Sequence, residues 1–90
     1  MASIKIPTPL RAYTGNEATV AVDGGTVNEA LNNLVSQYPD LEQHLFKDGT
    51  LRSFVNVFIG EEDISFLDGV DTTIDTDESL RIIPSIAGGR

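Results

Sequence analysis

TVNEALNNLVSQY, residues 26–38, carries the pattern on which the fold turns. Val27, Ala30, Leu31, Leu34, Val35 and Tyr38 recur at i, i+3, i+4, i+7, i+8 and i+11, the spacing that lines one face of an α-helix. Thr26 offers a hydroxyl to a free N–H of the first turn, and Glu29 three residues on completes a Thr-x-x-Glu capping box. Pro39 stops the helix, because the residue before a proline avoids helical angles. The spacing predicts a helix over 26–38 with one apolar stripe, and that stripe needs a surface to cover it.

The flanking segments supply that surface. Residues 3–7 alternate around Ile4 and Ile6 and read as a first strand, which Pro7 and Pro9 keep from extending as a regular ladder. Thr14-Gly15-Asn16 signals a turn. Ala18, Val20 and Val22 alternate with Glu17, Thr19 and Ala21 as a half-buried second strand, and the two strands with a short connection read as a hairpin closed off by Asp23-Gly24-Gly25. Downstream, residues 41–46 suit a short second helix ahead of Asp48-Gly49. Residues 54–59 are nearly all apolar, as in a strand covered on at least one face. A short strand around Asp63-Ile64, a turn-rich acidic loop from Asp68-Gly69 to Asp77, and a last strand over 79–84 with Leu80, Ile82 and Ile83 complete the order. One mixed sheet of four to five strands with one main helix on one face fits it, an α+β domain. Within that class the β-grasp, ubiquitin-like arrangement is expected, although periodicity alone does not single it out. The domain is taken as residues 1–84, followed by a flexible tail, 85–90, with Gly-Gly near its end.

Composition bounds the function. Ninety residues make one domain. Fourteen acidic side chains against six basic ones give a net charge of -8, which phosphate backbones and anionic lipid heads repel. Nucleic acid and membrane surfaces are therefore poor partners, and a basic protein is a better one. From Ser53 to Leu80 there is no Lys or Arg, yet Glu61, Glu62, Asp63, Asp68, Asp71, Asp75, Asp77 and Glu78 fall there. Two readings stay open: a solvated face that maintains solubility, and a docking patch for a positive partner. The absence of cysteine removes disulfides and thiol chemistry. Residues 1–7 lack the features of a signal peptide, and no stretch approaches the ~20 apolar residues of a membrane span. A soluble cytoplasmic protein is expected.

No catalytic constellation is visible. His44 is the only histidine. Without a paired nucleophile it reads as an ordinary surface or packing residue, and one histidine without cysteines makes a poor zinc site. The acidic loop fails the EF-hand pattern, since counting from Asp71 puts Thr73, Thr76 and Ile82 at positions that call for an acidic or amide ligand, Gly and Glu. Gly24-Gly25 lacks the Lys-Ser/Thr element of a phosphate loop. What remains is the tail, Ser85-Ile86-Ala87-Gly88-Gly89-Arg90. At ~7% glycine usage such a doublet arises by chance in about one chain in 200, so alone it decides little. Physically, a segment without Cβ atoms is thin and can thread a narrow channel, and six residues reach up to ~20 Å.

Specific motifs tie the tail to a chemistry. Ile6-Pro7-Thr8 with Leu10-Arg11 and Thr14-Gly15, then Phe54-Val55-Asn56-Val57-Phe58, then Glu62-Asp63-Ile64 with Phe66, and finally Ile83-Pro84-Ser85-Ile86-Ala87-Gly88-Gly89 resemble the MoaD/ThiS family of sulfur carriers. Within it they look most like the carriers of cysteine-synthase systems. The resemblance covers almost the whole chain. Its specific parts are the Phe-Val-Asn strand and the Ile-Pro-x-x-Ala-Gly-Gly ending.

The resemblance implies that an E1-like adenylating enzyme activates the terminal carboxylate, here Gly89, and that sulfur then replaces AMP to give a thiocarboxylate. Gly88, Ala87, Ile86 and Ser85 would enter the partner's active site. A sulfur-accepting synthase would follow, either cysteine synthase-like or a molybdopterin synthase large subunit, with the thiamine thiazole carrier a further relative. In the cysteine system a metallopeptidase acts last. ATP, zinc and pyridoxal phosphate would belong to those partners, and the carrier itself would be no enzyme and hold no cofactor or metal. A different class, a ubiquitin-like modifier joined to lysines through Gly89, shares the Gly-Gly ending. Arg90 departs from the family pattern: while it is present the Gly89 carbonyl is an amide, so Gly89-Arg90 is the expected processing site, the alternative being that Arg90 is a trivial extra residue.

Overall fold

The computed structural model describes residues 2–52 and 55–84. Along the chain run β1 (Ala2–Lys5), β2 (Thr19–Val22), α1 (Val27–Gln37), α2 (Glu42–Leu45), β3 (Phe46–Lys47), β4 (Thr50–Leu51), β5 (Val55–Ile59), β6 (Glu62–Asp63) and β7 (Ser79–Pro84). Five strands form one sheet in the order β2-β1-β7-β5-β6. β1 runs antiparallel to β2 and parallel to β7, and β5 is antiparallel to both β7 and β6. The first and last strands thus lie side by side at the centre of a mixed sheet, with α1 packed on one face. This is the expected α+β, β-grasp architecture.

Strand periodicity decides which residues reach the helix. Ile4 stands beside Leu80 and Ile82 beside Val57. With Val20 and Val22 these side chains meet the α1 stripe of Val27, Ala30, Leu31 and Leu34, all buried, while Leu41 and Leu45 close one end. Val35 and Tyr38 flank the stripe and are partly buried.

The helix start departs from the simple capping box in one detail. Thr26 is the extended cap residue and its Oγ1 accepts the Glu29 N–H at 3.2 Å, but Glu29 Oε1 accepts from Gly25 N–H at 2.7 Å, one residue upstream of the cap. Gly24 makes this entry possible. Its φ is +153°, and a Cβ there would lie 2.7 Å from the Ala30 nitrogen. Replacing Thr26 by Ala should cost about 1 kcal/mol of folding free energy through the lost cap, read as a lower urea midpoint at an unchanged slope.

Two segments differ from expectation. The β1–β2 connection is long rather than short. It contains a 3-10 helix, Thr8–Tyr13, with a proline in its first turn, where a missing N–H is tolerated. The fully buried Thr14 ties it down, its hydroxyl reaching the carbonyls of Arg11 (3.2 Å) and Glu17 (2.9 Å). Gly15 and Asn16 then turn the chain with φ of 62° and 68°. Second, Asp48-Gly49 does more than end a short helix. With φ of 54° and 83° the pair is the turn of a separate two-stranded hairpin, β3–β4, as Asp-Gly favours. The expected strand start at Phe54, with Ser53 before it, lies outside the described residues. No helix among the described residues is long and apolar enough to cross a membrane.

Candidate functional site

The site begins where the sheet ends. β7 sits between β1 and β5, and its register against β5 runs from Ile59↔Leu80 through Val57↔Ile82 to Val55↔Pro84. Pro84 has no N–H to donate, which suits the last position of a ladder and nothing further. The last described residue thus belongs to the central strand, held by β5 alone at Pro84 because the β1 pairing of β7 ends at Lys5↔Arg81. Ser85, Ile86, Ala87, Gly88, Gly89 and Arg90, the sequence-derived site residues, lie outside the described residues.

Around that point the two faces of β7 differ. Leu80 and Ile82 point into the core, whereas Ile83 is 41% exposed on the other face. Register places Asn56 opposite Ile83 and Phe58 opposite Arg81, with Lys5 beside Arg81 on β1. The Arg81 guanidinium lies 5.7 Å from the Phe58 ring centroid, and its Nη2 donates to the Gly60 carbonyl at 2.9 Å. An apolar face bearing two cations thus adjoins the exit of a chain whose net charge is -8.

On the far flank of β5, residues 64–66 form a 3-10 turn. Ile64 is buried beneath it, and Asp63 Oδ1 accepts the Ser65 N–H at 2.8 Å. Between this turn and β5 lies an open depression of about 250 Å³, lined by Val55, Val57, Ile64 and Val70 and edged by Arg52 and Asp63. The turn presents Phe66, 81% exposed, to solvent. Sequence reasoning assigned Phe66 no functional role; its signals are its place in the Glu62-Asp63-Ile64-x-Phe66 stretch and its setting among carboxylates.

Side-chain chemistry is sparse. His44 packs as expected of a structural residue, its ring centroid 4.3 Å from that of Tyr13, with a buried Nε2 that has no hydrogen-bond partner. Among the described residues no three His, Cys, Asp or Glu side chains are placed to hold a metal ion. What the arrangement does offer is a central strand whose described end at Pro84 has a mixed apolar-basic face on one side of the sheet.

Comparison with known proteins is consistent throughout. The ThiS family model matches residues 4–89. The sulfur carrier protein CysO of Mycobacterium tuberculosis is 33% identical over 90 residues, covering 97% of each chain. Small archaeal modifier protein 3 of Haloferax volcanii is 33% identical over 67 residues, 74% of this chain and 73% of that one. Among solved structures, the Amycolatopsis orientalis BexX/CysO complex contains a chain that superposes with a TM-score of 0.90 at 34% identity, covering 99% of this chain and all of that one.

Proposed function

The chain belongs to the ThiS family, and from that premise we propose that it is a sulfur carrier whose working group is the Gly89 carboxyl. The observation that carries the reading is that the family match runs from the first strand through residue 89. The named relatives at comparable length are sulfur carriers and a modifier, which favours a carrier over an enzyme.

The chemistry follows from the terminus. An E1-like enzyme transfers AMP from ATP to the Gly89 carboxylate and releases pyrophosphate. A sulfide nucleophile then attacks the activated carbonyl, the bond to AMP breaks, and AMP departs with its electron pair. A thiocarboxylate remains, with sulfur held on the backbone of a chain that has no cysteine. While Arg90 is joined to Gly89 the carbonyl is an amide with no carboxylate to adenylate, so a peptidase must first cleave that bond. Ser85 to Gly88 enter the partner's channel, narrowest where Gly88, without a Cβ, precedes Gly89. ATP, zinc and pyridoxal phosphate are supplied by partners. The recipient we favour is a cysteine synthase-like enzyme, with molybdopterin synthase and thiazole synthase the alternatives that neighbouring genes distinguish.

Two chains, one ending at Gly89 and one at Arg90, incubated with the E1-like enzyme, ATP and sulfide, test this by intact-mass spectrometry. The shorter chain should gain the mass of one oxygen-to-sulfur exchange and the longer one none. Sulfur acquired at Gly89 with Arg90 still attached would overturn the processing step; no sulfur on either would overturn the carrier reading. Similarity to an archaeal modifier protein favours one second reading, conjugation of Gly89 to lysines. Gly-Gly remnants on cellular lysines would support it, and their absence beside free thiocarboxylate would exclude it.

A further inference from the structure

The acidic edge carries a feature that sulfur transfer at Gly89 does not use. Phe66 is 81% exposed and Leu67 44%, adjacent at the end of a 3-10 turn, where burial of either would release apolar surface from water. Loops commonly tuck such side chains in; here local bonds hold them out. Ile64, 5% exposed, anchors the turn from below, the Leu67 N–H donates to the Ile64 carbonyl at 2.9 Å, and the Asp68 N–H donates to Thr72 Oγ1 at 3.0 Å. Thr72 in turn is fixed to the helix start, its carbonyl accepting the Val27 N–H at 3.0 Å. The pair is thus presented ready for contact, with little ordering left for binding to supply.

Charge says what would cover it. Glu61, Glu62, Asp63, Asp68 and Asp71 surround the pair in sequence, with no Lys or Arg from Ser53 to Leu80. An exposed aromatic set in an acidic stretch of chain fits an apolar slot rimmed by Lys and Arg. Place narrows it further. β6 leaves the ladder at Phe58↔Asp63, and Ile64 and Ser65 line the depression against Val55 and Val57. The turn therefore lies on one flank of the N-terminal half of β5, while Pro84 lies on the other, paired with Val55. Two strand spacings separate those flanks, about 10 Å, so one partner can hold the turn and the tail together.

We propose that Phe66 and Leu67, flanked in sequence by Glu61, Glu62, Asp68 and Asp71, form a docking anchor for a basic-rimmed apolar slot on the enzyme that adenylates the tail. This rests on the carrier reading above. The same residues account for the acidic run as a docking patch rather than a merely solvated face.

The test is ATP–pyrophosphate exchange by the E1-like adenylating enzyme of the source organism, with the chain ending at Gly89 as the varied substrate. Phe66→Ala should raise KM about tenfold or more and leave kcat within about twofold, as expected for a hot-spot truncation away from the reacting atoms. The pair Asp68→Lys with Asp71→Lys should also raise KM and flatten the salt dependence of kcat/KM. Asp40→Lys, on an exposed residue outside the loop, alters charge without touching the patch and should change neither. Wild-type KM for both patch variants would overturn the docking anchor while exchange itself upholds the carrier reading. Absence of exchange with the unaltered chain would overturn both.

Discussion

Gly88→Val should abolish loading of Gly89 and leave the melting temperature unchanged. The two halves of this expectation have separate causes. Residue 88 lies four positions past the last described ladder pair, Val55↔Pro84, and changes away from packed features fall within about 0.5 kcal/mol. Loading by the proposed chemistry, in contrast, needs the Gly89 carboxylate to reach a nucleotide inside the partner. Valine puts a branched Cβ one residue from the reacting carbon and narrows the backbone conformations that glycine allows. Displacing a reacting group by about 1 Å costs on the order of 100-fold in rate, and a tail stopped short of the channel is displaced further. Thermal denaturation and intact-mass analysis of thiocarboxylate, run on one preparation, check both halves. Normal thiocarboxylate formation by the variant would remove the threading argument, and a lowered melting point would show that the tail packs on the domain.

The parts of the fold legible in the sequence are those specified by neighbours along the chain. Thr26, Glu29 and the stripe from Val27 to Leu34 define α1 locally, and the structure reproduces it with its cap. The alternation of Val20 with Val22, and of Leu80 with Ile82, likewise gives the inward faces. What is not local is harder to read. The parallel pairing of β1 with β7 joins opposite ends of the chain, and no window of sequence contains it. The 3-10 turn after Pro7 depends on Thr14, whose hydroxyl bonds are made only when the loop closes over the core. Asp48-Gly49 was readable as a turn, but β3 and β4 are two residues each, too short for any alternation to show. The candidate site divides in the same way. Its proposed chemistry comes from the resemblance of the Ile-Pro-x-x-Ala-Gly-Gly ending to a family, since the two glycines alone decide little. The exposure of Phe66 was not legible, since Ile64 and Phe66 are both apolar, two residues apart, and only the tertiary fold decides that one is buried and the other presented.

Leu80→Ala should be among the most damaging single changes in the domain, costing about 2–5 kcal/mol for the lost methyl groups and the cavity left behind. Leu80 is fully buried and stands between Ile4 on β1 and Ile59 on β5, so few neighbours are free to collapse into the space. For ninety residues the whole folding free energy is about 5–13 kcal/mol, so this one truncation removes a large fraction of it. Arg81→Ala, the very next residue, supplies the contrast. Its side chain is on the opposite face, and it loses a cation–π contact worth about 0.5–1 kcal/mol and one exposed hydrogen bond to Gly60. Adjacent positions on one strand should therefore differ severalfold in cost, because one faces the core and the other solvent. The consequence for function is direct. β7 is the strand from which the tail departs, so Leu80→Ala should reduce thiocarboxylate yield in step with the native fraction, and mild stabilisation by lower temperature or osmolyte should restore it. Urea unfolding of the two variants measures the difference. Equal midpoints for Leu80→Ala and Arg81→Ala would mean that the core does not close over β7 as described.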